Sequence, residues 1–147
     1  MKKVLNMIVC GLLAVSLVFN GFQYSKNRQL KEKYLAEFQQ EISFTIQRLE
    51  GYQESGDEAE YSTAISHIYA AYVAVSNYAW LTDHDDLAIS YSGYFHSMWN
   101  HAIFYPEQFK EITDEVLEAL KAVKAVKVDH ELNDLETIYL FEKRFAF

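Results

Sequence analysis

Apolar positions along this chain follow two different patterns. From Val4 to Tyr24 the sequence reads VLNMIVCGLLAVSLVFNGFQY, apolar on every side of a helix and without a charge between Lys3 and Lys26. Beyond it, apolar residues recur at steps of three and four, the spacing of one helix face. An uncharged run of this length reaches across a hydrocarbon core, which takes roughly 20 residues in a helix. The two patterns together predict an all-α chain, with one N-terminal transmembrane helix followed by a compact bundle of about five helices. Residues 1–24 are expected to be an uncleaved signal-anchor and residues 25–147 an acidic helical-bundle domain.

The anchor reading rests on what surrounds the run. A removable signal needs small residues after its apolar core. Ala14-Val15-Ser16 is the one candidate, and Leu17-Val18-Phe19 carry the apolar run straight past it. Cys10 follows the bulky Val9, a poor context for lipidation. Orientation draws on two opposed signals. A short basic tail ahead of an export-like helix sends the remainder outward, whereas Lys26, Arg28, Lys31 and Lys33 outnumber Lys2 and Lys3 on the charge count that holds basic flanks inside. The tail geometry is preferred, giving a single-pass protein of the cell membrane with an extracytoplasmic domain.

After the anchor, Leu30, Tyr34, Phe38, Ile42, Ile46 and Leu49 form one stripe of a helix from about Ser25 to Glu50, continuous with the membrane helix or separate from it, with Gly51 as its end signal. The stripe packs inside the domain or, as the alternative, against a second copy of the chain through residues 30–49. A second helix begins near Asp57, where Ser55 with Glu58 or Asp57 with Glu60 offers a capping box, and runs uncharged from Tyr61 to Thr82. A third follows the Asp83-His84-Asp85-Asp86 turn and runs uncharged from Leu87 to Pro106, with Gly93 in its middle expected to allow a close helix approach or a bend. Pro106 suits the first turn of the next helix. Acids at its start and lysines at its end suit the helix dipole, and Thr113-Asp114 allows one bent helix or two shorter ones. A last helix is expected around Leu135, Ile138, Tyr139 and Phe145. The two uncharged stretches carry too many Ser, His, Asn and Tyr to insert readily into lipid, so they read as a buried hairpin rather than further spans.

Charge and cysteine count narrow the function classes. The net charge is −8 and no Lys or Arg occurs between Leu49 and Phe109, which argues against nucleic acid, whose phosphates need basic partners. A single Cys forbids an intramolecular disulfide. No glycine-rich phosphate loop, nucleophile elbow or calcium-loop spacing occurs, so no cofactor is implied.

Three histidines, His67, His96 and His101, fall in the uncharged helices and are weak metal candidates, because bundle metal sites gather Glu-x-x-His pairs that this chain lacks. Aromatics are the stronger signal. Tyr69, Tyr72, Tyr78, Trp80, Tyr91, Tyr94, Trp99 and Tyr105 crowd one hairpin, and their spacing does not let all of them point into one seam. Rings carrying a hydroxyl or an indole N–H suit interfaces, with an apolar body and a polar tip. The expected function is non-catalytic docking of a partner protein at the membrane through residues 61–106. The alternatives are a sensor or carrier holding a small apolar or aromatic ligand within the bundle and, behind it, a metal-dependent enzyme.

Overall fold

A computed structural model describes the backbone of residues 2–82 and 86–125 and the side chains of residues 10–82 and 88–125. Over these residues the chain is helical throughout: α1 (Lys2–Ser55), α2 (Glu58–Leu81), α3 (Asp86–Phe104), α4 (Pro106–Glu111) and α5 (Thr113–Ala125). The Asp83–Asp85 turn and the expected C-terminal helix lie outside the described residues. No helix among the described residues is long and apolar enough to cross a membrane. Residues 4–9, the first part of the apolar run, lie outside the described side chains.

α1 is one unbroken helix of 54 residues, about 80 Å at 1.5 Å per residue. The apolar run and the first bundle helix are thus the same element. Gly51 does not end it. The helix continues to Ser55, and Gly56 takes the left-handed conformation at φ 68°, its N–H donating to the Tyr52 carbonyl at 2.7 Å. That single bond closes the last turn in the way an αL cap requires. Gly51 is tolerated inside the helix, with only the Glu60 side chain approaching its Cβ position.

Asp57 caps α2, its carboxylate accepting from the Ala59 N–H at 2.9 Å. Glu60 does not complete a capping box; it turns to Arg48 across the hairpin at 3.1 Å. α1 and α2 therefore run antiparallel, with Arg48 opposite Glu60 and Glu41 opposite His67. α3 runs back along α2, with the hydroxyls of Ser76 and Ser92 meeting at 2.6 Å. Pro106 begins α4, and a break at Ile112 separates it from α5, which settles the bent-or-two question in favour of two helices. α5 descends beside α1, where Gln53 bonds Asp114 and Glu50 pairs with Lys121.

The core takes one face of each helix, and on α1 that face is the expected stripe from Phe38 onward. Phe38, Ile42, Ile46 and Leu49 of α1 are buried, as are Tyr61, Ile65, Ile68 and Val75 of α2, Tyr91, Phe95 and Met98 of α3, Phe109 of α4, and Val116, Leu120 and Val123 of α5. From Phe38 onward the α1 stripe is thus used within the chain, leaving only half-buried Leu30 and Tyr34 of the 30–49 seam for a second copy. Phe38 meets Phe95 edge-on at 5.2 Å and Tyr91 at 6.2 Å, so its ring joins α1 to α3 over the small residues of α2. Of the two expectations for Gly93, the close helix approach is not met: its Cβ position meets nothing within 4 Å, so no neighbouring helix needs it there.

Candidate functional site

Helix α2 decides the site because it is apolar on more faces than its neighbours cover. Its interior line uses small residues, Ala64, Ala71, Ala74 and Ala79, together with Ile65, Ile68 and Val75. Bulky rings are displaced to the flanks and the outside. Tyr69 is 44 % exposed and Trp80 72 %. Along α3 the outward line runs through Ile89, Gly93, His96 and Ile103, all exposed.

Between these two lines the rings touch. Tyr69 lies 5.0 Å from Trp99 and 5.8 Å from Tyr72, centroid to centroid. Tyr72 lies 5.0 Å from His96, and His96 stacks on Trp99 at 6.2 Å with an interplanar angle of 28°. Asn100 holds the imidazole from one turn below, at 3.3 Å from Nε2. The result is a four-ring surface patch, two rings from each helix. Such pairs are worth about 0.5–1.5 kcal/mol beyond their buried area, so the patch is held in shape before anything binds it.

Beside the patch, Glu37, Gln40 and Glu41 of α1 and Tyr69, Ala70, Val73 and Ala74 of α2 line an open groove of about 540 Å³. One wall is acidic and amide, the other apolar. Glu41 also receives the His67 ring, Nδ1 to Oε2 at 2.6 Å, while Phe44 packs on the same imidazole at 5.1 Å.

A second aromatic group closes the far end of the bundle. Tyr61 packs between Tyr52 at 5.4 Å and Phe109 at 6.2 Å, and the Lys110 ammonium sits over the Tyr61 ring at 5.1 Å. Lys110 donates to Glu58 at 2.9 Å and Glu107 at 3.2 Å, and the bond to Glu58 is the chief reason its ammonium holds its proton more tightly than usual. Burial pushes the Tyr61 hydroxyl up to about 12 from 10.0, against the opposing pull of Lys110. Outside this group, Phe104 is 70 % exposed, and Ile103 and Tyr105 are exposed as well.

The sequence-derived site residues divide three ways. Tyr69, Trp80 and Tyr105 are exposed. Tyr72, Tyr78, Tyr94 and Trp99 are half-buried, with one side on the core. Tyr91 is a correction: at 1 % exposure it belongs to the interior beside Phe38 and offers no partner a surface. Its position on the same α3 line as Phe95 and Met98 places it inward.

The histidines do not share a site. His67 faces α1 and Glu41, His96 joins the outer patch, and His101 packs on Tyr105 at 5.4 Å and Phe109 at 6.3 Å. Among the described residues no three His, Cys, Asp or Glu side chains gather within reach of one ion. The Asp83-His84-Asp85-Asp86 cluster lies outside the described side chains.

Sequence reasoning did not single out as site residues four apolar members of the outer surface, Val73, Ile89, Ile103 and Phe104. A signal for the last two was present: Ile103-Phe104-Tyr105 are consecutive, and three consecutive residues cannot share one helix face. His96 was noticed only as a metal candidate, and its part in the ring patch depends on a neighbour 24 residues away.

The fold and this surface define a class: an all-α bundle built on one very long helix, with an aromatic hairpin turned partly to solvent. No protein-family model matches the chain, and comparison with curated proteins and with solved structures returns no match.

Proposed function

We propose that this protein is a non-catalytic, membrane-anchored helical domain that docks a partner protein through its α2–α3 hairpin, residues 61–106. The observation that carries the proposal is the patch of Tyr69, Tyr72, His96 and Trp99, with exposed Val73 and Ile89 on the same two helices. A chain that needed these rings only for its own stability has inward positions for them, yet half of the interior line of α2 is alanine, at Ala64, Ala71, Ala74 and Ala79. Rings fixed by their neighbours lose little entropy on binding, which favours affinity. The groove beside the patch adds Glu37 and Glu41, so the partner surface is expected to combine apolar residues with a basic or hydrogen-bond-donating edge.

Anchoring through residues 4–24 belongs to the same proposal. Its support is the uncharged run itself and the exposure of Leu12, Leu13, Val15, Leu17, Val18, Phe19 and Phe22, none of which packs on the bundle. In water that surface is a liability, because soluble monomers rarely present such a contiguous apolar area. In a bilayer it is the solvent-facing surface of an ordinary span. The bundle then stands outside the membrane, on the extracytoplasmic side in this proposal.

The test is photo-cross-linking of the full-length chain in cells, with a reactive group at position 73, in the native sequence and in Tyr69→Glu. The expected result is a discrete partner captured by the native chain and lost in Tyr69→Glu, while thermal melting stays within a few degrees. A partner captured equally by both chains refutes the assignment of the surface. A reporter fused after Phe147 reads the side of the membrane independently.

A further inference from the structure

We infer that the stretch of α1 just beyond the apolar run is a binding collar for anionic lipid headgroups, an inference that rests on the membrane anchoring proposed above. The layers along the helix carry it. Apolar residues end in Phe19, Phe22 and Tyr24, all well exposed, at the position where aromatic rings sit between hydrocarbon and headgroups. Four basic residues follow within the next nine positions, Lys26, Arg28, Lys31 and Lys33, against Glu32 alone. At 1.5 Å per residue they lie about 3–14 Å beyond Tyr24, which spans the headgroup layer and the first Debye length outside it.

Their arrangement tells a flat charged surface from a one-sided partner. With 3.6 residues per turn, Arg28, Lys31 and Lys33 fall at about 200°, 140° and 340° round the helix from Lys26. The charges fall in two pairs on opposite sides of the helix, Lys26 with Lys33 and Arg28 with Lys31, instead of forming one stripe. A protein partner on one face reaches half of them, whereas a lipid annulus reaches all. α1 passes unbroken through this stretch, so the collar is held square to the helix axis with no hinge.

Two of the cations have acidic neighbours one turn on, Arg28 with Glu32 at 2.9 Å and Lys33 with Glu37 at 3.4 Å. Both pairs are largely exposed, and such pairs give way easily to a phosphate. Beyond Lys33 the balance reverses to seven Lys and Arg against twenty Asp and Glu. An anionic membrane therefore attracts the collar and repels the domain, which keeps the bundle upright and its α2–α3 surface clear of the lipid.

The experiment uses the full-length chain reconstituted in phosphatidylcholine vesicles containing spin-labelled phosphatidylglycerol or spin-labelled phosphatidylcholine. The native chain is compared with the quadruple variant Lys26→Gln, Arg28→Gln, Lys31→Gln, Lys33→Gln, whose helicity is checked by circular dichroism. The native chain is expected to favour the anionic label about threefold at low salt, the ratio falling to about one in the variant and in high salt. A native chain that resists alkaline carbonate extraction yet shows no preference overturns the collar and leaves the anchor standing. A variant that keeps the preference overturns the collar as well. A native chain stripped from the vesicles by carbonate removes the anchoring and the collar together.

Discussion

Tyr61 holds the junction between α3 and α4, and replacing it with Phe isolates a single hydroxyl. Helix α3 ends just before Pro106, and the Ala102 carbonyl stands four residues ahead of that proline. In a continuing helix it accepts from the N–H at position 106, which proline lacks. The Tyr61 hydroxyl supplies the missing donor at 3.0 Å from α2, 41 residues away in sequence. Ala102 is buried, so water does not readily take over. Tyr61→Phe keeps the ring contacts with Tyr52 and Phe109, removes the bond and strands the carbonyl, at a cost of about 1–3 kcal/mol. Tyr52→Phe is the control. The Tyr52 hydroxyl has no described hydrogen bond while its ring lies in the same group, so its loss is expected to cost under about 0.5 kcal/mol. Urea unfolding of the full-length chain in mild detergent, followed by tryptophan emission, reads both as midpoint shifts at constant slope.

The same residue gives a pH signature with a definite sign. In the unfolded chain the phenol releases its proton near pH 10.0, whereas in the folded chain burial pushes it up to about 12. Below pH 10 it is neutral in both states and its contribution is fully present. As pH rises from 10 towards 12 the unfolded chain gains by ionising and the folded chain does not. The native protein should lose about 1–2 kcal/mol over that interval, after discounting for solvent screening. Tyr61→Phe lacks this loss, so the stability gap between the two proteins should narrow above pH 10. The raised proton affinity of Lys110 acts in the same range but is common to both. A Tyr61→Phe midpoint equal to the native one at pH 7, or a gap that stays constant up to pH 12, refutes the donor role.

Three further substitutions test the fold at separate points, each read by the same unfolding assay. Gly93→Ala should stabilise by about 0.5–1 kcal/mol, since Gly93 lies mid-helix with open space at its Cβ position and Ala removes the entropy cost of glycine; a loss instead reveals a contact the fold does not show. Gly56→Ala should destabilise by about 1–2 kcal/mol, because φ 68° crowds any Cβ. Phe38→Ala should cost about 3–5 kcal/mol through the cavity left between α1 and α3, with loss of the Phe95 and Tyr91 ring contacts.

What the sequence made legible depends on whether local spacing carried the information. The stripe from Phe38 to Leu49, the Tyr91-Phe95-Met98-Ala102 line and the Phe109-Val116-Leu120-Val123 line were readable, because burial of one helix face imposes a period of 3.6. Gly51 against Gly56 was not, since two glycines five apart both suit an ending and only the left-handed turn at Gly56, followed by the Asp57 cap, selects between them. The site shows the same limit more sharply. α2 carries apolar residues beyond its buried face, so periodicity marks the inward line of Tyr61, Ile65, Ile68 and Val75 and leaves the outward rings unassigned. Which rings face outward is set by where α1 and α3 lie, and they choose the alanine line. Close approach of three helices favours small side chains at the contact, because backbones come nearer there and dispersion contacts multiply. Tyr69, Val73 and Trp80 are thereby turned away from the interior, and Tyr72 and Trp99 are left straddling its edge. The outer patch is therefore a consequence of the packing solution, and its shape is fixed by the Ala64, Ala71 and Ala74 line on the opposite side of α2. Enlarging that line, as in Ala71→Leu, should push α2 off its neighbours and disturb the patch and the core together. Removing an outer ring, as in Tyr69→Ser, should leave the core untouched. If the two changes alter the stability equally, the outer rings are part of the core and the docking surface loses its physical basis.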